Sequence, residues 1–247
     1  MKALILAAGY GTRLYPLITN TPKPLLTVAD KPLINHIMDK IRPLSGLDEV
    51  LVVTNDKFHK NFEEWAQKIQ PSFPVPVKII NDGTTTPENR LGSIGDIDFV
   101  IKKCKIDNDL LVLGGDNLFD YSLEAYLVFA RAKTPAVTIG LYDIKDLKAA
   151  TIYGVAQIAQ DGKLTSFEEK PAQPRSTLIA MCFYHCPRAS LSCLEQYIRQ
   201  TQKMDKAGDY IHWLCEEKGV YGFKFSGKWY DIGSMESYRE AQEKFSK

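Results

Sequence analysis

The sequence predicts an α/β fold, a Rossmann-like three-layer arrangement around a mixed, mostly parallel sheet. Three observations carry this expectation. The chain opens on a nearly unbroken apolar run, Ala3 to Ala8, of the kind that forms a strand buried on both faces. Apolar runs then alternate with helical patterns at the pitch of βα units, which implies parallel strands joined by right-handed crossovers. The length of 247 residues, 45% of them hydrophobic, suits one large α/β domain or two small ones.

The elements follow in order. Pro32 to Ile41 carries apolar residues at helical spacing, with proline suited to a first turn. Glu49 to Thr54 is a second buried strand. Lys57 to Ile69 is a polar helix pinned by Phe58, Phe62 and Trp65, and Val77 to Ile80 is a third strand. Leu110 to Gly115 and Ala136 to Leu141 complete this series. After about residue 150 the pattern changes. Tyr153 to Ala159, an Asp161-Gly162 turn, and Lys163 to Phe167 read as a hairpin. A strand over Thr177 to Tyr184 precedes helices over Pro187 to Gln200 and Asp209 to Lys218. Val220 to Phe225 is a last strand, and Ser234 to Phe245 a closing amphipathic helix. With no linker or repeat in view, a single domain is expected. It comprises two halves, 1–145 and 146–247, the second adding a substrate-binding lobe.

Composition narrows the function. A net charge of +1 argues against general nucleic-acid binding. No apolar stretch approaches the roughly 20 residues of a membrane span. The N-terminal run is too short for a signal peptide, so a cytoplasmic location is expected. The five cysteines contain no Cys-x-x-Cys pair and read as reduced, buried thiols. The four histidines form no cluster along the sequence, and no serine or cysteine nucleophile stands beside a base.

The first strand empties into Gly9-Tyr10-Gly11-Thr12-Arg13, where glycine permits a tight turn and close approach of a ligand to the backbone. Arg13 and then Lys23 supply cations. A strand leading into a glycine loop with a guanidinium and an ammonium reads as a polyphosphate site, against the bland alternative of a plain glycine turn. Two familiar loops are excluded. No lysine follows Gly11 as a kinase-type loop requires, and Leu14 stands where a dinucleotide fingerprint needs its third glycine.

The longer string resembles the signature of the sugar-1-phosphate nucleotidylyltransferases. Ala8, Gly9, Gly11, Thr12, Arg13, Leu14, Pro16, Thr19, Pro22, Lys23, Pro24 and Leu25 all fall in place, including the ten-residue step from arginine to lysine. Later motifs extend the resemblance over essentially the whole chain. It implies the nucleotide-diphospho-sugar transferase fold, with Ala8, Gly9, Gly11 and Thr12 contacting nucleotide and Arg13 and Lys23 as catalytic cations.

Leu113-Gly-Gly-Asp-Asn117 places Asp116 at the carboxyl end of a strand, where open α/β sheets bind ligands. A carboxylate near a triphosphate calls for a divalent cation between them, and Mg²⁺ is the hard ion for that role. The resemblance implies that Asp116 and Asp231, the latter in Trp229-Tyr-Asp-Ile-Gly233, hold this ion. It also implies that Glu169 and Lys170 of Glu168-Glu-Lys-Pro171 take sugar hydroxyls and sugar phosphate, with Gly154 admitting the sugar. Asn81 and Gly92 sit where relatives read the base. Asn81 replaces a frequent glutamine, and Ala180 or Cys182 replaces a frequent glycine, so base and sugar stay open.

The expected reaction joins a nucleoside triphosphate, UTP or dTTP by family frequency, to a sugar 1-phosphate such as glucose 1-phosphate. Two alternatives stand. One is a cytidylyltransferase acting on phosphocholine or a similar phosphate. The other is a silent regulatory subunit, which would tend to lose one of Arg13, Lys23, Asp116 or Asp231. No nucleic-acid or membrane partner is expected, and assembly into a homo-oligomer is left open. No repeat region follows residue 247, which sets an expectation against a second, acyl-transfer activity.

Overall fold

The computed structural model describes residues 1–245, an α/β fold whose residues cluster into two compact units. The units interleave along the chain rather than following one another as the expected halves do. The first holds Met1–Leu91, Leu113–Leu123 and the chain from Gly227 onward; the second holds Gly92–Val112 and Glu124–Ser226.

In the first unit, Glu49–Thr54 lies between Lys2–Leu6 and Val77–Asn81, all three parallel. Its six residues are all buried, which explains the continuous apolar run from Val50 to Val53. Glu49, at the start of the strand, is a charged residue among them. Burial works against its charge, but Lys2 Nζ at 2.6 Å and Lys78 outweigh it and hold the carboxyl below its ordinary range. Helices Leu33–Ile41 and His59–Ile69 bury one face each, the latter through Phe62 and Trp65. Trp65 Nε1 donates to Asn35 Oδ1 at 2.7 Å. The last helix, Met235–Lys244, starts at a Ser234–Ser237 capping box and contributes Ala241 to a core with Val28, Leu33, Leu118 and Ile232.

In the second unit, Val137–Asp143 lies between antiparallel Leu178–Cys186 and parallel Val220–Phe225. The expected hairpin forms as Gly154–Ile158 with Leu164–Glu169. Phe183, Phe223 and Phe225 pack with Tyr126, whose hydroxyl donates to Thr138 O at 2.9 Å. The sequence reading assigns no element to the helices Gly92–Lys103 and Glu124–Ala132. Gly92, Gly95, Asp96 and Asp98 are poor helix formers, and burial of Ile94, Ile97 and Val100 overrides their propensity.

Asp143 ties three segments of this unit. It accepts from Thr177 Oγ1 at 2.6 Å and from Lys224 Nζ at 2.9 Å, and these partners lower its pKa to about 2. A depressed carboxyl stabilises the fold above its unfolded pKa and loses that contribution as pH falls toward the folded value. Asp143→Asn should therefore cost on the order of 1 kcal/mol at pH 7, after solvent screening, and almost nothing near pH 2. Urea titrations at both pH values check this; equal losses would refute it.

Candidate active site

The first unit builds a cleft of about 220 Å³ lined by Leu6, Ala7, Gly9, Gly11, Arg13, Lys23, Pro24 and Asp116. The sequence folds this way because the strand ends at Leu6 and the loop behind it is nailed down from several sides. Gly11 adopts φ +57°, the left-handed region where glycine escapes the Cβ penalty, and opens the 3₁₀ turn Thr12–Leu14. Leu14 and Ile18 plug into a core with Leu26, while Arg13, next to Leu14, stays exposed. A Cβ built on Gly9 would meet nothing within 4 Å, so backbone there is open to a ligand.

Buried Asn55 is the fastener that sequence reasoning missed. Its Nδ2 donates to Ala8 O at 2.9 Å, and its Oδ1 accepts from Phe58 N at 3.1 Å. An asparagine ahead of a helical start was the available signal. Asn55→Ala should destabilise the chain by about 1–3 kcal/mol, because two buried backbone groups lose partners. A denaturation midpoint equal to wild type would refute this.

Asp116 lies just beyond the strand Leu110–Gly114, held there by Gly115, whose N–H donates to Leu6 O at 2.9 Å. A Cβ on Gly115 would lie 2.8 Å from that oxygen and 3.0 Å from Pro24 Cγ. Lys23 Nζ donates to Asp116 Oδ2 at 2.6 Å. Burial works against the Asp116 carboxylate, but the Lys23 charge and hydrogen bond prevail and its pKa is lowered.

The two aspartate motifs interlock. Trp229–Asp231 pairs antiparallel with Asn117–Phe119, placing Asp231 opposite Asn117, and Ile232 N donates to Asp116 O at 3.1 Å. Trp229 Nε1 donates to Asn117 Oδ1 at 2.7 Å, and Asn117 Nδ2 donates to Asp116 Oδ1 at 3.1 Å. Arg13 approaches the same corner: a Cβ on Gly233 would lie 3.5 Å from Asp231 Oδ2 and 3.8 Å from Arg13 Nη2. Ala8 and Thr12 do not line the cleft; Ala8 is buried with its carbonyl on Asn55, and Thr12 begins the 3₁₀ turn.

Asn81 belongs to the first unit and Gly92 to the second. Asn81 Nδ2 donates to Asp56 Oδ1 at 2.7 Å, and its Oδ1 accepts from Gly83 N at 2.8 Å. Gly92 has φ +80°, and a Cβ there would fall 2.4 Å from Asp205 Cα. The backbone N–H groups of Ser93, Ile94 and Gly95 donate to the carbonyls of Met204 and Asp205.

The second unit gathers Gly154, Glu169 and Lys170. Glu169 pairs with Gly154 across the hairpin. A Cβ on Gly154 would lie 2.5 Å from Phe167 Cζ and 3.2 Å from Glu169 Oε2. Burial raises the Glu169 pKa, with Lys170 opposing and Asp209 reinforcing the rise. Lys170 has φ +51°, a left-handed conformation costly for a side chain with a Cβ, and its N–H donates to Tyr153 O at 3.0 Å. Its Nζ lies 3.9 Å from Glu169 Oε1.

The model of the nucleotidyl transferase family matches residues 2–247. This chain belongs to the nucleotidyl transferase family. Among similar proteins, the bifunctional protein GlmU of Methanocaldococcus jannaschii is 28% identical over 238 residues, covering 94% of this chain and 51% of that protein. A glucose-1-phosphate thymidylyltransferase of Neisseria meningitidis is 27% identical over 246 residues, covering 98% and 81%. A solved UDP-glucose pyrophosphorylase complexed with UDP-glucose shares the fold, with a TM-score of 0.82 at 21% identity over 99% of this chain and 97% of that one. The chain spans about half the length of the GlmU proteins it matches. Within the nucleotidyl transferase family, then, the glycine loop, Arg13, Lys23 and the two aspartates of this chain stand on one unit.

Proposed function

We propose that this chain transfers a nucleotidyl group from a nucleoside triphosphate to a sugar 1-phosphate, giving an NDP-sugar and pyrophosphate. The observation that carries the reading is the single cleft lined by Gly9, Gly11, Arg13, Lys23 and Asp116. An open glycine backbone, two cations and one carboxylate gathered on one cleft suit a triphosphate.

The acceptor phosphate is already an anion near neutral pH, so the chemistry needs no general base. Catalysis is then positioning and charge neutralisation. Arg13 and Lys23 draw charge from the α-phosphate and from the departing pyrophosphate. Lys170 binds the acceptor's phosphate, and Glu169 accepts hydrogen bonds from its hydroxyls.

The carboxylates suit a hard divalent cation such as Mg²⁺. Asp116 and Asp231 are both half-buried and are joined through the Ile232–Asp116 hydrogen bond. These two residues would hold the ion, which when bound neutralises phosphate charge.

Glucose 1-phosphate with UTP or dTTP is the first pair to test, as the names of similar proteins suggest. A phosphocholine acceptor would leave Glu169 without hydroxyls to bind. The decisive experiment measures pyrophosphate release with Mg²⁺ over four nucleotides against glucose, mannose and glucosamine 1-phosphates and phosphocholine. Release in a sugar column that stops with EDTA supports the reading. Release with phosphocholine alone, or nucleotide binding without turnover in any cell, overturns it.

A further inference from the structure

We propose that Gly208 is a positioning residue of the acceptor subsite, acting through Glu169. The inference rests on the reading of Glu169 as the group that binds sugar hydroxyls. Gly208 lies in the first turn of the helix Ala207–Glu217. Its φ is not among the positive values, so its backbone conformation does not call for glycine. Alanine would suit a helix better by about 0.5–1 kcal/mol.

The reason for glycine is space. A Cβ on Gly208 would fall 1.9 Å from Glu169 Oε2, 2.5 Å from its Cδ and 3.1 Å from its Cγ. A Cβ on Gly154 would fall 3.2 Å from the same Oε2. The carboxylate is therefore seated between two bare Cα atoms, one on a strand and one on a helix. Seating Oε2 leaves Oε1 as the outer oxygen, 3.9 Å from Lys170 Nζ. Glu169 thus meets its ligand in one fixed rotation rather than as a free rotor. Such a group discriminates a ring of hydroxyls held in fixed directions, and gives nothing to an acceptor lacking them.

Gly208→Ala should push Glu169 out of its seat. The KM for the sugar 1-phosphate should rise at least about tenfold, while kcat and the KM for the nucleotide stay within about twofold. A helix-stabilising alanine confined to a structural role would not split the two constants in this way. Glu169→Asp in the Gly208→Ala background shortens the side chain by one methylene and should recover part of the lost affinity. An unmoved sugar KM, equal rises in both KM values, or no recovery in the double variant would overturn the inference. Wild-type turnover is measured alongside. Silence with every sugar 1-phosphate overturns the proposed reaction and this inference with it, whereas turnover with an unmoved Gly208→Ala KM overturns the inference alone.

Discussion

Arg13→Ala is expected to lower turnover by at least about a hundredfold, the scale of losing one electrostatic stabiliser of a transition state. The fold should survive the change. Arg13 is exposed, and its neighbours Leu14 and Ile18, rather than its own side chain, anchor the loop in the core. Circular dichroism and a melting curve close to wild type would separate lost chemistry from lost structure. The guanidinium lies near Asp231 across Gly233, so part of its effect is to oppose carboxylate charge where phosphate must enter. Arg13→Lys keeps charge but loses the planar fork, and should fall between the two. Near-normal turnover in a folded Arg13→Ala protein would refute the assignment.

Asp116→Asn is expected to cost still more, about a thousandfold in turnover, because one change removes a carboxylate proposed to hold Mg²⁺ and unbalances Lys23. Lys23 is largely buried, and its ammonium pairs with Asp116 Oδ2 at 2.6 Å. Leaving that ammonium beside a neutral amide should lower stability by on the order of 1–2 kcal/mol, less than for a fully buried pair because Asp116 keeps solvent contact. The metal titration discriminates between the two effects. If Asp116 ligates the ion, residual activity in the variant should need a markedly higher Mg²⁺ concentration. An unchanged Mg²⁺ dependence would leave Asp116 as the partner of Lys23 and nothing more.

Both residues are legible in the sequence, and the reason is local. Arg13 and Lys23 sit in a continuous string of special residues, and Asp116 follows an apolar run that could only be a buried strand. The strands Glu49–Thr54 and Val220–Phe225 were legible for the same reason, since burial on both faces leaves a run with few polar breaks. Contacts made across long sequence separations were not legible. Asn55 reaches Ala8, Trp229 reaches Asn117, and Gly208 clears a seat for Glu169; each links segments through atoms rather than patterns. The helix Gly92–Lys103 was hidden differently, behind glycines and aspartates that tertiary burial tolerates. The two-unit division was hidden too, because composition does not change where the chain passes from one unit to the other.

That division has a consequence for how the protein comes into being. A nascent chain made as far as residue 226 already carries Arg13, Lys23 and Asp116, and every residue of the second unit. It lacks the strand Trp229–Asp231 that pairs with Asn117–Phe119, and the helix that supplies Ala241 to the first unit's core. The stretch from Gly227 onward therefore closes the first unit and delivers Asp231 in the same act. A chain cut before residue 227 would keep its signature loop and yet leave the first unit without either contact.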